Sequence, residues 1–560
     1  MVDPQRALGA LVRHAVTAAF GPQHADCDAM VRRSQRADLQ VDVALPLARQ
    51  LGRPSRDVAQ ALVAALPVND LIERTTLGGP GFINVALRTA WLEAAAARAL
   101  ADARLGVPTV DAPERIVIDY SHPNVAKEMH VGHLRSSVIG DALARVLEFR
   151  GHTVIRQNHY GDWGTPICML IEQLVEDAND TNDLGELQAL YQRASRRRDD
   201  DPEFRELVGQ RVVLLQAGDE HTVAIWRRLV ALSRTYFEDV YRELGVTLTA
   251  ADERPESSYN DQLAPLADEL AAAGLARVSD GALCMFPEGS ELPLIVRKQD
   301  GGFGYAATDL AAIRYRIREL CATRVLYVVG APQSRHLALV FAAAREAGWL
   351  AEPVHAHHVA FGSVLGEDRK MLRTRAGAAV RLRELIAEAI ARADRELDRL
   401  PAEERPGVAR AVGVGAIKYA DLSCERVNDY VFDLDRMVAF KGDAAGYIQY
   451  MHARARSILA RAGTSTRGPI RCAAPAERAL VFTLLRLGGA LELVDLRHEP
   501  HHLAALLHDS AMSFSDFYDT CDVLDADGES RVSRLSLTEL AARTLACGLD
   551  LLGIAAPDRM

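Results

Sequence analysis

The stretch IVIDYSHPNVAKEMHVGHLRSSVIGDALARVLEFRGHTVIRQNHYGDWGT, residues 116–165, decides the fold that we expect for this chain. The apolar strand IVIDY is followed by a loop and then by a segment in which Leu134, Val138 and Ala142 recur at helical spacing. Gly151 supplies a C-terminal stop, and the strand-like HTVIRQNHY follows. This order predicts a βαβ unit, whose ligand site lies at the carboxyl ends of its strands and at the helix N-terminus.

Three later segments have the composition of further strands. They are LIVRKQDGGFGYAATDLAAIRYR, VLYVVGAPQSRH and HHVAFGSVLG, the last at residues 357–366. We expect them to complete the parallel sheet that the βαβ unit begins.

The chain has 560 residues, which exceeds the size of a single hydrophobic core and predicts several domains. Residues 1–110 combine helical spacing, short strand-like pieces and a GGPG turn, so we expect a small α/β domain there. Residues 111–407 hold the βαβ unit and include a helical, charged insertion at about 168–290. Residues 408–560 are predominantly helical and predict a separate all-α domain.

The composition is that of an ordinary globular protein, with 49% hydrophobic and 25% charged residues. We find no apolar run of the roughly 20 residues that cross a bilayer and no signal-peptide core, so a cytoplasmic protein is expected. The net charge of −11 argues against indiscriminate polyanion binding, although a local basic surface remains compatible with it.

The cysteines form no CxxC pair and no cluster at zinc spacing, so we interpret them as small hydrophobic residues and expect no protein-bound metal. They are Cys27, Cys168, Cys284, Cys321, Cys424, Cys472, Cys521 and Cys547.

The tetrapeptide His130-Val131-Gly132-His133 stands at the mouth of the first predicted helix. Two imidazoles in the opening turn can donate to phosphate, and the glycine between them leaves room for a nucleotide against the backbone. An isolated HxGH is more often a pair of helix-cap residues. Its position after a strand and before an amphipathic helix favours nucleotide binding.

The opening stretch resembles the signature block of arginyl-tRNA synthetases, which are class I enzymes. Similarity continues in order along essentially the whole chain, in GPGFIN near residue 80, ESSYND (256–261), YAATDLAAIRYR (305–316), KYADLS (418–423), DYVFD (429–433), YIQYMHARA (447–455), EPHHLA (499–504) and the C-terminal GLDLLGIAAPDRM. The resemblance implies an α/β Rossmann-type catalytic domain with a parallel sheet and a HIGH-type motif. It also implies that the small N-terminal α/β domain binds the tRNA elbow and that the all-α C-terminal domain binds the anticodon.

The activity that the resemblance implies is ATP-dependent ligation of L-arginine to tRNA(Arg) through arginyl-adenylate, in a family that is usually monomeric. Magnesium is implied by the ATP chemistry. On this basis His130 and His133 donate to the phosphates, Gly132 provides the surface for adenine, and His336 lies near ATP.

The second class I element is a lysine loop, which the resemblance places at GEDRKMLRTRAG, residues 366–377. Lys370 and Met371 match the start of the usual KMSKS, but Arg373 stands where a second lysine is expected. In the family, a lysine just before the HIGH-type motif takes over part of the missing charge, and Lys127 occupies that position. Lys127, Lys370 and Arg373 are therefore expected catalytic residues.

Selection of arginine requires carboxylates, because a guanidinium presents a planar fork that a carboxylate accepts bidentately. The resemblance points to Asp309 and Glu256, with Tyr305 closing the pocket; Tyr305 and Asp309 share a face if their segment is helical. The residues expected at the carboxylate and ammonium of the amino acid are Asn124, Gln333 and His159.

A polar and aromatic face in the last domain is expected to contact tRNA, through Tyr447, Gln449, Tyr450 and Arg454. Such residues are as often the edge of a core, so this interpretation stays open beside that one. Gly446 and the pair Pro166-Ile167 depart from the family pattern. Two alternatives therefore stand: a paralogue that supplies arginyl-tRNA or activated arginine to a specialised pathway, and a non-catalytic tRNA-binding regulator.

Overall fold

A computed structural model describes residues 2–290, 292–366, 368–372, 380–463 and 468–560. The elements fall into an N-terminal part with a small antiparallel sheet, a central part with a parallel sheet, and a helical C-terminal part. Within the described residues, no helix is both long enough and apolar enough to cross a membrane.

The N-terminal part packs helices against one antiparallel sheet. Its elements are α1 (Pro4–Phe20), β1 (Val31–Arg33), β2 (Leu39–Val41), α2 (Ala44–Leu51), α3 (Ser55–Ala65), β3 (Ile72–Gly78), β4 (Phe82–Leu87) and α4 (Thr89–Ala101). The strand order is β1-β2-β4-β3. The turn predicted at GGPG joins β3 to β4 and is confirmed.

The central part contains the parallel sheet. Its elements are β5 (Arg115–Asp119), α5 (Val131–Arg150), β6 (Thr153–Gln157), α6 (Thr165–Glu176), α7 (Leu184–Asp200), α8 (Pro202–Ala217), α9 (Glu220–Leu244), α10 (Asn260–Ala272), β7 (Ala276–Ser279), β8 (Ala282–Met285), β9 (Leu294–Arg297), α11 (Tyr305–Arg318), β10 (Arg324–Tyr327), α12 (Ser334–Glu346), β11 (His355–His358) and β12 (Val364–Leu365). The sheet order is β11-β10-β5-β6, with every neighbouring pair parallel. The predicted βαβ unit is confirmed as β5, α5 and β6.

Helix α5 lies directly on the end of strand β5. Its apolar residues Leu134, Val138 and Ala142 are completely buried, and Gly151 ends the helix in the left-handed conformation with φ 100°. A Cβ added at Gly140 would lie 2.3 Å from Cγ of Tyr120. Only a glycine permits this close approach of helix and strand.

One expectation about the sheet is wrong. VLY and HH form β10 and β11 of the parallel sheet, but LIVR forms β9, which belongs to a separate antiparallel sheet with the order β7-β8-β9. The connection from β8 to β9 is shorter than the dozen or so residues that a parallel crossover needs, so the strands pair antiparallel. Strand β12 also lies outside the main sheet, because it pairs with β13 (Tyr430–Val431).

The C-terminal part is helical, as predicted. Its helices are α13 (Leu382–Glu396), α14 (Arg405–Leu422), α15 (Leu434–Met437), α16 (Ala445–Ala462), α17 (Pro475–Leu484), α18 (Leu487–Arg497), α19 (His501–Thr520) and α20 (Gly528–Leu551). Helices α14, α18 and α20 pack against α5, so the C-terminal part covers the helix that begins at His130-Val131-Gly132-His133.

Buried charges join α5 to these helices. The guanidinium of Arg135 is buried against the Asp421 carboxylate of α14, with Nε 3.1 Å from Oδ2, and it also donates to the Asn428 carbonyl at 3.0 Å. Arg150 lies 3.5 Å from the Asp495 carboxylate at the end of α18. The position of α5 therefore depends on charged partners in the C-terminal part.

We predict that Arg135→Met lowers the free energy of unfolding by about 3–5 kcal/mol, because it leaves the Asp421 carboxylate buried without its charge partner. The matched control is Arg197→Met, which breaks the partly exposed pair of Arg197 with Glu176 on the insertion. The control is expected to cost less than about 1 kcal/mol. Denaturant unfolding followed by tryptophan fluorescence measures both, and equal small losses in the two variants would contradict the importance of the buried pair.

Candidate active site

The carboxyl ends of β5, β6 and β10 meet in one crevice. The chain runs from β5 through α5 to β6 on one side, and from β10 through α12 to β11 on the other, so the crevice between β5 and β10 is the switch point of the sheet. Ligands of open α/β sheets bind at this place. The segments that follow these strands, made of a loop and in two cases the first turn of the next helix, carry the expected site residues. They are Asn124, Lys127, His130 and His133 after β5, His159 after β6, and Gln333 and His336 after β10.

The loop after β5 has an unusual backbone. Ser121, His122 and Ala126 all have positive φ, at 83°, 52° and 61°, which is a costly conformation for residues with a side chain. Buried hydroxyl groups hold the loop in place: Ser136 Oγ accepts from the Ser121 N–H at 2.8 Å, and Ser233 Oγ accepts from the Ala126 N–H at 2.8 Å. Surrounding packing thus fixes the loop before any substrate arrives.

His130 and His133 form a hydrogen-bonded pair at the start of α5. Nδ1 of His130 accepts from the Gly132 N–H at 3.0 Å, and Nδ1 of His133 accepts from the His130 N–H at 3.1 Å. Their ring centroids are 4.0 Å apart. A Cβ added at Gly132 would lie 2.8 Å from Cε1 of His130, so the glycine also makes room for this ring.

The two imidazoles are neutral donors at physiological pH. Burial lowers the pKa of His130 and lowers that of His133 to about 3, and the charge of nearby Lys127 lowers both pKa values further. Because each Nδ1 accepts a backbone hydrogen bond, the remaining proton lies on Nε2. The helix start thus offers two imidazole N–H donors, and the positive end of the helix dipole adds to their attraction for an anion.

The turn after β12 presents Lys370 and Met371 to solvent. The Gly366 N–H donates to the Lys370 carbonyl at 2.8 Å, which closes the turn. Beyond the undescribed residues, the chain returns to α5, where the Val131 N–H donates to the Val380 carbonyl at 3.2 Å. Arg373, the third expected catalytic cation, lies outside the described residues.

Asp309, His336 and Tyr305 form a second cluster in the crevice. Asp309 Oδ2 is 2.5 Å from Nε2 of His336, and the Tyr305 ring lies edge-on to His336 with centroids 4.8 Å apart. His159 Nε2 lies 4.0 Å from the other Asp309 oxygen. Tyr305 and Asp309 both belong to α11, as expected, and Tyr305 is 69% exposed at the rim. His336, expected near ATP, is thereby in direct contact with the expected arginine residues.

Glu256 completes the acidic side of the crevice. It opens the 3-10 turn Glu256–Tyr259, and burial, followed by the charges of Asp309 and Asp162, raises its pKa to about 8. A Cβ added at Gly161 would lie 2.9 Å from Asn124 Oδ1 and 3.9 Å from Glu256 Oε1, so these two side chains face the same glycine. A cationic ligand placed between the two carboxylates would relieve their repulsion.

Sequence reasoning missed the residues that position this acidic side. Both oxygens of Asp162 accept from Ser257, from its N–H at 2.9 Å and its hydroxyl at 2.6 Å, and so fix the turn that carries Glu256. Beneath the crevice, the buried Arg316 donates to Asp119 at 2.6 Å. The carboxylate that ends the apolar strand IVID was a sequence signal for such a buried cation.

The expected tRNA residues lie on α16 and divide into two kinds. Tyr450 and Arg454 are partly exposed, and the Arg454 guanidinium stacks 5.2 Å from the Tyr450 ring centroid and 4.4 Å from that of Tyr518. Tyr447, also partly exposed, lies beside His508. Gln449 is the exception.

The expectation that Gln449 contacts RNA is wrong for this structure. Its side chain is completely buried, and its amide donates to the Ala411 carbonyl at 3.0 Å and the Ala555 carbonyl at 2.7 Å. Gln449 instead ties the C-terminal segment to α14 and α16. A buried amide with two backbone partners is a structural residue.

Among the described residues, one group of three side chains could share a metal ion, Glu499, His501 and His502 at the start of α19, and it includes none of the expected site residues. The cysteines do not all match the expectation of small hydrophobic residues, because Cys321 is exposed.

Comparison with known proteins identifies the same three parts. The family model for "tRNA synthetases class I (R), catalytic domain" matches residues 96–434, that for "Arginyl tRNA synthetase N terminal domain" matches residues 6–87, and that for "DALR anticodon binding domain" matches residues 448–560. The arginine–tRNA ligase of Thermobifida fusca is 51% identical over 580 aligned residues, which cover 100% of each chain.

Solved structures give the same result. The arginyl-tRNA synthetase of Thermus thermophilus superposes with a TM-score of 0.84 at 28% identity, covering 99% of this chain and 100% of that one. The arginyl-tRNA synthetase of Plasmodium falciparum also reaches 0.84, at 26% identity and 99% coverage of both chains.

The switch-point crevice, entered by a helix that starts with paired imidazole donors, is the catalytic architecture of a class I aminoacyl-tRNA synthetase. Within that class, the chain belongs to the arginyl-tRNA synthetase family.

We predict that arginine binding releases close to one proton near pH 7. Glu256 has a pKa of about 8 in the free protein, so it is mostly protonated at that pH, and a bound guanidinium would favour its ionised form. The Kd for arginine should fall as the pH rises toward 8 and then level off. Calorimetric titration in two buffers of different ionisation enthalpy measures the released proton.

The matched control for this titration is Glu256→Gln, which keeps the shape of the side chain and cannot ionise. It is expected to release no proton and to show a flat dependence of Kd on pH. A pH-independent Kd in the unmodified protein would show that Glu256 does not meet the guanidinium.

Proposed function

We propose that this chain ligates L-arginine to tRNA(Arg) in two steps. In the first, the carboxylate of arginine attacks the α-phosphorus of ATP, which forms arginyl-adenylate and releases diphosphate. In the second, a hydroxyl of the terminal tRNA ribose attacks the activated carbonyl, which forms arginyl-tRNA and releases AMP. Family membership over the full length supports this proposal.

The phosphates of ATP are proposed to lie at the start of α5. His130 and His133 would donate from Nε2 to the phosphate oxygens, and Lys127 and Lys370 would add positive charge where negative charge develops. The imidazoles need no acid or base step in this scheme, because their lowered pKa values keep them neutral donors. Magnesium, held by the phosphates, would supply further neutralisation of their charge.

The paired carboxylates of Asp309 and Glu256 are the single observation that carries the choice of arginine. Together they match the delocalised charge and planar donors of a guanidinium, whereas the compact ammonium group of lysine cannot reach both bidentately. Tyr305 would close the pocket at its rim, and Asn124, Gln333 and His159 would hold the α-carboxylate and α-ammonium groups. Because Asp309 contacts His336, the guanidinium must compete with or displace that hydrogen bond.

The tRNA is proposed to contact both outer parts of the chain. Tyr447, Tyr450 and Arg454 would face the anticodon arm, together with Tyr518, whose ring lies on the other side of Arg454. Stacked aromatic and guanidinium planes suit unpaired bases. The N-terminal domain, proposed to span residues 1–110, would bind the tRNA elbow. It would lie next to a catalytic domain at 111–407 and an anticodon-binding domain at 408–560.

We also propose that the enzyme works as a monomer in the cytoplasm.

The two alternatives have less support. A non-catalytic regulator has no need of the paired imidazole donors, of Lys127 beside them or of the acidic pocket, all of which are present. A specialised paralogue would use the same chemistry, and the departures at Pro166 and Ile167 give no reason to prefer it. Pro166 lies in the first turn of α6, where proline is well tolerated, and Ile167 is buried in the core of the insertion.

Charging of a tRNA(Arg) transcript with labelled arginine tests the proposed function. The purified chain should form arginyl-tRNA that requires ATP and is not formed with a lysine tRNA. Failure to charge with saturating ATP, arginine and tRNA would contradict the proposal. Charging with an amino acid other than arginine would reassign the pocket.

We predict that Asp309→Ala lowers kcat/KM for arginine by at least about 100-fold, because it removes a charge partner of the guanidinium in a partly buried site. The KM for ATP should change by less than about threefold, since the phosphates bind at α5. Asp268→Ala, which removes an exposed carboxylate on α10, is the control and should behave like the unmodified protein. Near-normal kinetics with arginine in Asp309→Ala would disprove the pocket assignment.

A further inference from the structure

The ammonium group of Lys127 rests on an aromatic ring of the insertion. Its Nζ lies 3.8 Å from the ring centroid of Tyr191, which belongs to α7. Among the described residues, no carboxylate forms an ion pair with Lys127. The lysine is therefore held by a π face, and no carboxylate among the described residues neutralises its positive charge.

This arrangement suits a cation that has to act on an anionic substrate. A carboxylate would also fix the side chain, but it would cancel most of the positive potential. An aromatic face attracts the ammonium group and leaves its charge intact. The charge of Lys127 reaches the histidine pair, since it contributes to the lowered pKa values of both rings.

Helix α7 contacts the same loop at a second point. The Glu128 N–H donates to Oε1 of Gln188 at 3.3 Å, and Gln188 and Tyr191 are three residues apart, hence on one face of the helix. Glu128 in turn lies 2.8 Å from Arg381, at the point where the chain returns to α5. One face of the insertion therefore holds two successive residues of the loop that precedes His130.

We propose that Tyr191 is a positioning residue for adenylate formation: its ring holds the Lys127 ammonium beside the histidine pair, in place to contact the phosphates. The inference rests on the proposed function for its catalytic consequence. The contact between the Tyr191 ring and the Lys127 ammonium group can be tested without an activity assay. A merely structural Tyr191, which only fills space between α7 and the helices around it, is the alternative.

Lysine labelling tests the contact between Tyr191 and Lys127 directly. The chain has only five lysines, Lys127, Lys298, Lys370, Lys418 and Lys441, so acetylation by an N-hydroxysuccinimide ester can be followed at each one by mass spectrometry. Tyr191→Leu should raise the acetylation rate of Lys127 by about threefold or more, while Tyr191→Phe, which keeps the π face, should leave it unchanged. Equal Lys127 rates in all three proteins would overturn the proposal.

Enzyme kinetics then test whether this contact speeds adenylate formation. With tRNA present, Tyr191→Leu should slow arginine-dependent ATP–pyrophosphate exchange by about 5- to 20-fold in kcat with little change in the KM for arginine, and Tyr191→Phe should keep the unmodified rate. In a Lys127→Ala background, Tyr191→Leu should add almost nothing, because the group that it positions is gone. Multiplied effects of the two substitutions would assign Tyr191 a structural role and overturn the proposal.

Phe286→Leu is the matched control for the loss of an aromatic ring. Phe286 follows β8 and receives Arg277 at 4.5 Å instead of Lys127. It should leave both the labelling of Lys127 and the exchange rate near those of the unmodified chain. An unmodified chain without arginine-dependent exchange in the presence of tRNA would refute the proposed function, whereas the labelling result would still decide whether Tyr191 holds Lys127.

Discussion

The buried charges along α5 are the constraint on which the rest of the site depends. Arg135 and Arg150 point into the protein interior and find their carboxylate partners on the C-terminal helices, at Asp421 and Asp495. A buried charge without a partner costs several kcal/mol, so α5 can occupy only an orientation that satisfies these pairs. The same helix begins with His130 and His133. The place where phosphates are proposed to bind is therefore set by two contacts of α5 with distant parts of the chain, one at Arg135 near the start of the helix and one at Arg150 at its end.

The crevice divides into two sides with opposite electrostatics. On the α5 side, burial and a neighbouring lysine keep both imidazoles neutral, and the helix dipole and Lys127 supply positive potential. On the α11 side, burial, followed by the charges of Asp309 and Asp162, raises the pKa of Glu256 to about 8. An amino acid with a cationic side chain and a nucleotide with an anionic tail would each meet the opposite charge. Their reacting groups would then meet between the two sides, near Asn124 and Gly161.

The sequence predicted those features that depend on short-range pattern. The spacing of Leu134, Val138 and Ala142 correctly gave α5, and the strand before it correctly gave the parallel sheet. The same reasoning failed for LIVR, because an apolar run of four residues fits a parallel or an antiparallel strand equally well, and the short connection to β8 decided between them.

Contacts between distant segments were beyond sequence reasoning. Gln449 looked like part of a polar face, yet the carbonyl groups of Ala411 and Ala555, which approach from other parts of the chain, make it a buried structural residue. Tyr191 lies in the helical, charged insertion, and its contact with Lys127 appears only once α7 is placed against the loop after β5. Most candidate site residues that follow the strands were named from the resemblance to arginyl-tRNA synthetases, and the topology of the sheet brings them together.

ATP–pyrophosphate exchange with each of the twenty amino acids, run with and without tRNA, tests the central claim most directly. The paired carboxylates predict exchange with arginine alone, and family membership predicts that it requires tRNA. Exchange with lysine at a comparable rate would contradict the bidentate pocket of Asp309 and Glu256. Exchange with no amino acid in the presence of tRNA would contradict the assignment of the crevice as the site of adenylate formation.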